Sequence, residues 1–141
     1  MNKARIEGWI PLAYDALKNV GIAANGSMDK SYRSQIASFG ASVIMGSLIA
    51  AIAFFSKPQD NKEDGSKKNS PKVDRSKLIE AILNVLHSDG LIPETKTLYD
   101  WARDERAAGR GVPSRDAVLD AAIALKLAMN LYQLDDREGS K

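Results

Sequence analysis

Apolar side chains recur at helical spacing along five segments of the chain. In the first segment Ile6, Ile10, Ala13, Leu17 and Val20 follow one another at alternating steps of four and three residues, which places them on one face of a helix. The same spacing, with Gly, Pro or Asn-Gly at the segment ends, predicts five helices. They cover about residues 3–24, 28–56, 74–90, 94–108 and 113–134.

The second predicted helix is the longest and the most apolar. No charged residue lies between Arg33 and Lys57, a stretch long enough for a membrane span of about 20 residues. Its many Ala, Ser and Gly residues contribute little transfer free energy, however, compared with Leu, Ile and Phe. We therefore expect a long central apolar helix that other helices bury, with a small membrane protein anchored by this helix as the alternative.

Polar segments separate and follow the helices. Residues 57–73 hold five lysines and three acids, with no apolar side chain between Pro58 and Pro71. We expect a disordered, mobile lysine-rich loop there, with a binding arm as the alternative, and a frayed tail over residues 135–141. No alternating β pattern and no internal repeat is visible. The predicted fold is all-α: a single domain over residues 1–141, built as a compact bundle of about five helices.

Residue types that most catalytic and metal sites require are scarce. The chain has no cysteine and one histidine, His87, and it has neither a phosphate-binding loop nor a dinucleotide motif. We expect a protein with no enzymatic activity, no cofactor and no metal, although a carboxylate pair that meets only in space leaves no sequence signature. The first ten residues contain no apolar run of signal-peptide length, so a cytoplasmic location is expected.

Local clusters of basic residues matter more than bulk charge, because the formal net charge is only +2. Arg103, Arg106 and Arg110 have the spacing i, i+3, i+7, which aligns them on one side if the helix continues, and Arg115 follows just past the turn. Guanidinium groups bind phosphates bidentately, so such a face can follow a nucleic-acid backbone. An ion-paired solvated face, with acids at positions 100, 104 and 105, is the alternative.

The complete set of candidate RNA contacts adds the two basic residues that flank the charge-free helix. Among the aromatic residues, Tyr32 is the one most suited to stacking on a base, because the others fall on or beside apolar stripes. The candidate nucleic-acid-binding residues are Arg33, Lys57, Arg103, Arg106, Arg110 and Arg115.

Three segments resemble the small helical subunit of Cmr-type (type III-B) CRISPR effector complexes. The first is WIPLAYDALKNV at residues 9–20, with an aromatic residue, then Ala-Tyr, then an apolar residue. The second covers residues 31–57: it has Tyr32-Arg33, an apolar middle, and a GSLIAAIAFFSK run that is similar to the family's Gly-Leu-x-x-x-Leu-Ala-Phe run and its basic end. The third is the last predicted helix, which occupies the place of the family's closing helix.

This resemblance implies a non-catalytic scaffold subunit for antiviral defence. In that family several copies stack head to tail beside the backbone subunits that carry CRISPR RNA, and they help to line the channel where target RNA pairs with it. The implied partners are other Cmr-complex subunits, copies of itself, CRISPR RNA and target RNA, with contacts to the RNA backbone and no membrane. A helical protein–protein interaction adaptor without a nucleic-acid role is the alternative.

Overall fold

The computed structural model describes residues 1–57 and 73–135. In this part of the chain six helices and a small three-stranded sheet form around one hydrophobic core. The elements are α1 (Lys3–Asn19), β1 (Ala23–Ala24), β2 (Ser27–Asp29), α2 (Ser31–Met45), α3 (Leu48–Phe55), α4 (Ser76–Asp89), α5 (Leu98–Ala107), α6 (Gly111–Met129) and β3 (Gln133–Asp135). The predicted lysine-rich loop lies outside the described residues except for its two ends.

Helix α6 occupies the centre of the bundle and packs against α1, α2, α4 and α5. Its two adjacent apolar stripes explain this position, because a helix with a wide apolar surface must be covered by several neighbours. Val118, Leu125 and Met129 are completely buried, and alanines at 121, 124 and 128 let the neighbouring helices approach closely. Pro113 lies in its first turn, where the missing N–H costs no hydrogen bond.

The charge-free segment forms two helices instead of one. Helix α2 ends at Met45, and the backbone changes direction at Gly46 (φ −120°, ψ −113°) and Ser47 (φ −145°, ψ 158°). The Ser47 hydroxyl then accepts a hydrogen bond from the Ala50 N–H at 3.0 Å, which caps the start of α3. The prediction of one long central helix over 28–56 is therefore wrong. No helix in the described ranges is both long and apolar enough to cross a membrane.

The small sheet was missed by the sequence analysis. Asn25 (φ 57°) and Gly26 (φ 82°) form a two-residue turn between β1 and β2, which pair antiparallel. Strand β3 pairs parallel with β2, and the Lys30 N–H donates to the Asp135 carbonyl at 2.8 Å. The last helix thus ends at Met129 and not near residue 134, and Asp135 belongs to a strand and not to a frayed tail; residues 136–141 lie outside the described residues.

Other helix ends follow the sequence signals more closely. The Asn2 side chain accepts from the Arg5 N–H at 3.0 Å and caps α1, while Gly90 (φ 88°) ends α4 in the left-handed conformation. Helix α1 contains Pro11 in its interior, and it stops at Asn19 and not near residue 24. Helix α5 begins at Leu98, later than predicted, because the Thr97 hydroxyl caps it by accepting from the Asp100 N–H.

Two polar contacts join α1 to α6 and to the residues that follow α6. Arg5 donates to Asp120 Oδ2 from Nε at 3.0 Å and from Nη2 at 2.7 Å, and the Asp120 side chain is only 2% exposed. The Tyr132 hydroxyl donates to the Tyr14 carbonyl at 2.7 Å, and the two rings stack with centroids 4.5 Å apart. Burial is the main reason that the pKa of Tyr132 rises to about 12.

Replacing Arg5 by Met should lower the free energy of unfolding by about 3 kcal/mol, because the Asp120 charge then stays buried without its partner. Urea denaturation followed by circular dichroism measures the change. Lys3→Met, on the same helix but exposed, should stay within about 0.5 kcal/mol of the original protein. The double variant Arg5→Met/Asp120→Leu should regain most of the loss. A double variant no more stable than Arg5→Met would show that the buried charge is not the cause.

Candidate nucleic-acid interface

A groove of about 480 Å³ separates the α2–α3 junction from the α5–α6 turn. The side formed by the α2–α3 junction is mainly apolar, and the side formed by α5 and α6 carries two arginines. We refer to this cleft as the arginine groove. Its lining residues are Val43, Gly46, Ser47, Leu48, Ile49, Ala102, Arg106, Gly109, Gly111, Val112, Ser114 and Arg115.

The tight turn between α5 and α6 places both arginines in this groove. Helix α5 ends at Ala107, and Gly109 (φ 83°) adopts a left-handed conformation that other residues rarely take. The Arg110 N–H then donates to the Glu105 carbonyl at 2.8 Å, and α6 begins one residue later. Arg106 therefore comes from the last turn of one helix and Arg115 from the second turn of the next.

The expected alignment of three arginines on one continuous helix does not occur. Arg110 lies beyond the end of α5, and it donates to Glu105 from Nε (2.9 Å to Oε1) and from Nη2 (3.0 Å to Oε2). This bidentate pair lowers the pKa of the Glu105 carboxyl, chiefly through the hydrogen bond from Arg110, and it raises the pKa of Arg110. Arg110 is therefore ion-paired, which was the alternative that the sequence left open.

Arg103 also lies among acidic side chains. Its Nη2 is 3.7 Å from Asp100 Oδ1 and 3.6 Å from Asp104 Oδ1, and its guanidinium carbon lies 5.6 Å from the centre of the Tyr99 ring. Lys96 donates to the same Asp104 side chain at 2.8 Å, and this hydrogen bond is the main reason that the pKa of Asp104 lies below its usual value. The exposed face of α5 is therefore largely neutralised.

Arg106 and Arg115 differ from the other two arginines of this region. Within the part of the chain that the structure describes, Arg106 has no carboxylate within ion-pair distance, and Arg115 has only a 3.7 Å contact with Asp116. The groove also contains the N-terminal ends of α3 and α6, where the helix dipoles place partial positive charge. Arg110, the residue before α6, provides no side-chain cap for the first turn of that helix. The arrangement attracts anions.

The remaining two sequence candidates do not line the arginine groove. Arg33 is half-buried in the first turn of α2, and its Nε is buried without a hydrogen-bond partner among the described residues. Lys57 is exposed beyond α3, and its carbonyl accepts from Arg75 Nε at 3.3 Å. Tyr32 is 5% exposed and its hydroxyl accepts from the Asp74 N–H, so it packs inside the fold and offers no face to a base.

Sequence reasoning missed the wall that faces the arginines. Gly46, Ser47 and Ile49 belong to a segment that we expected to be the interior of one helix. The Gly46-Ser47 pair is the local sequence signal, because Ser is a common helix cap. In the structure a Cβ at Gly46 would lie 3.0 Å from the Ser42 carbonyl oxygen. Across the described residues, no group of three or more His, Asp or Glu side chains could hold a metal ion.

Comparisons with known proteins add no relative. No protein-family model matches the chain, and no curated protein and no solved structure matches it either.

Glu105→Gln should destabilise the protein at neutral pH but not in acid. The pKa of Glu105 is lower in the folded chain than its usual 4.5, so the Arg110 pair stabilises the fold above that value and its contribution is lost as the pH falls through the folded pKa. Thermal unfolding of both proteins at pH 7 and in steps down to about pH 3 should show their difference shrinking towards zero. A difference that does not change with pH would contradict this role of the pair.

Proposed function

We propose that this chain is a non-catalytic scaffold subunit of a type III-B (Cmr) CRISPR effector complex, and that its arginine groove contacts the RNA backbone. The family assignment comes from the resemblance of the three segments. The observation that supports an RNA contact is the presence of Arg106 and Arg115 in one groove, without strong carboxylate partners, beside two helix N-termini.

This groove suits phosphate better than it suits base edges. Guanidinium groups and helix N-termini both bind phosphate oxygens, and their electrostatic attraction does not depend on the base. The facing wall is formed by backbone, Ser47 and aliphatic side chains such as Ile49, which provide little hydrogen-bonding pattern for telling one base from another. Binding of this kind is sequence-independent and sensitive to salt.

Head-to-tail stacking of copies requires two different complementary faces on one monomer. Exposed apolar side chains occur near both ends of α6. Val112 (60% exposed) lies in its first turn, and Leu131 (62%) lies just past its C-terminal end. Exposed apolar side chains at opposite ends of one helix are compatible with two different contact surfaces on one monomer.

Reversing both groove charges with Arg106→Glu/Arg115→Glu should weaken binding to single-stranded RNA of any sequence. Each lost phosphate contact removes about 0.7 from the slope of log K against log salt, so the slope should fall by about 1.4. Fluorescence anisotropy with labelled RNAs at several salt concentrations measures both effects.

The matched control is Lys3→Glu/Lys18→Glu on the exposed side of α1, which changes the net charge of +2 by the same four units. If this control loses as much RNA affinity as the groove variant, bulk charge and not the groove binds RNA. Arg110→Glu should have a smaller effect than Arg106→Glu, since Arg106 lines the groove and Arg110 does not.

Purification of the tagged chain from its source cell, followed by native mass spectrometry, tests the family assignment. The proposal requires CRISPR RNA and the backbone subunits of the complex to co-purify. Recovery of protein partners without RNA would favour the adaptor alternative and would contradict the proposed function.

A further inference from the structure

The solvent-facing side of α6 carries a narrow stripe whose first residue, Asp116, lies 3.7 Å from Arg115 of the arginine groove. Asp116, Leu119, Ile123 and Lys126 follow one another at steps of three, four and three residues, which is the spacing of a coiled-coil seam. Leu119 and Ile123 are only half-buried, and Lys126 is exposed. The stripe therefore has the form of a helix surface that packs against another helix.

A second groove, again of about 480 Å³, runs between this stripe and α2. We refer to it as the α2–α6 groove. Its α2 side carries small residues, Ala37, Gly40 and Ala41, and a Cβ placed on Gly40 would meet nothing within 4 Å. Ile44, at the rim, is 67% exposed. Open space and an exposed bulky side chain thus lie on the same face. A second helical surface can pack there by placing its side chains in the open space.

The pattern of the α6 stripe is complementary to itself. Residue 121 is the midpoint in sequence between Asp116 and Lys126, and it is also the midpoint between Leu119 and Ile123. If two copies of α6 lie antiparallel about a two-fold axis at that point, each Asp116 faces the other copy's Lys126 and each Leu119 faces the other copy's Ile123. Within one chain Asp116 and Lys126 are ten residues apart, roughly 15 Å along the helix, and cannot pair.

We propose that the α2–α6 groove is a homodimer interface, in which a second copy of this chain packs its α6 antiparallel to the first. Charge complementarity identifies the occupant, because both charged positions of the stripe find their opposites in a copy of the same stripe. The chain's own segments at 58–72 and 136–141 carry no apolar side chain other than proline, so they do not provide the surface that this groove would bury.

This inference does not depend on the proposed RNA contact. A two-fold pair uses one surface on both copies, whereas head-to-tail stacking uses two different surfaces and continues beyond two copies. Sedimentation over a dilution series distinguishes the two modes of association, since a two-fold pair does not grow beyond the dimer.

Single charge reversals provide the test. Asp116→Lys gives a stripe with two positive ends, and Lys126→Asp gives a stripe with two negative ends, so each variant alone brings two pairs of like charges together in a homodimer. Each should dimerise roughly a hundredfold more weakly than the original chain. An equimolar mixture of the two variants should form a heterodimer, and the double variant Asp116→Lys/Lys126→Asp should dimerise as well as the original chain.

Gly40→Leu tests the groove itself. The new side chain should fill the open space beside α6 and block the second copy, without lowering the midpoint of thermal unfolding of the monomer. The proposal is overturned if the original chain sediments as a monomer at every concentration, if the single charge reversals leave its association unchanged, if the mixed variants stay monomeric, or if folded Gly40→Leu dimerises normally.

Discussion

Burial of α6 against four other helices is the constraint on which the rest of the structure depends. Ten of its nineteen residues are buried, so its packing accounts for a large part of the core. Each fully buried Val, Leu or Met contributes about 1.5–3 kcal/mol relative to exposure. The one charged residue in this buried set, Asp120, is compatible with the core because Arg5 donates two hydrogen bonds to it. That pair also fixes the position of α1 along α6.

A helix held on so many sides leaves little of its surface free, and the free parts define the candidate sites. At its N-terminal end the turn at Gly109 folds α5 back, so that Arg115 of α6 and Arg106 of α5 enter one groove. Further along the helix, the stripe that contains Leu119 and Ile123 is half-buried, and the neighbouring Lys126 and Leu127 are exposed. The proposed RNA contact and the proposed dimer contact thus both involve residues of a helix that the core holds in place.

The sequence predicted the helices that have a clear apolar stripe, including the wide apolar surface of α6, because local periodicity reports burial directly. It did not predict the break at Gly46-Ser47, since no charged residue lies between Arg33 and Lys57 and no polar segment marks the break. Strand β3 was missed because three residues are too few for an alternating pattern and its partner lies more than a hundred residues away. The arginines at 103, 106, 110 and 115 are close in the sequence, but their division into ion-paired and groove-lining residues depends on a turn that spacing alone does not reveal.

Amide hydrogen exchange, measured by mass spectrometry with and without single-stranded RNA, tests the central claim that a rigid α6 presents an RNA-binding groove at its N-terminal end. We expect the amides of residues 117–129 to exchange most slowly in the free protein, because only global unfolding exposes them. RNA should slow exchange at residues 46–49 and 106–115 and leave α1 and α4 unchanged. Fast exchange within α6, or RNA protection confined to surfaces away from the groove, would contradict the account.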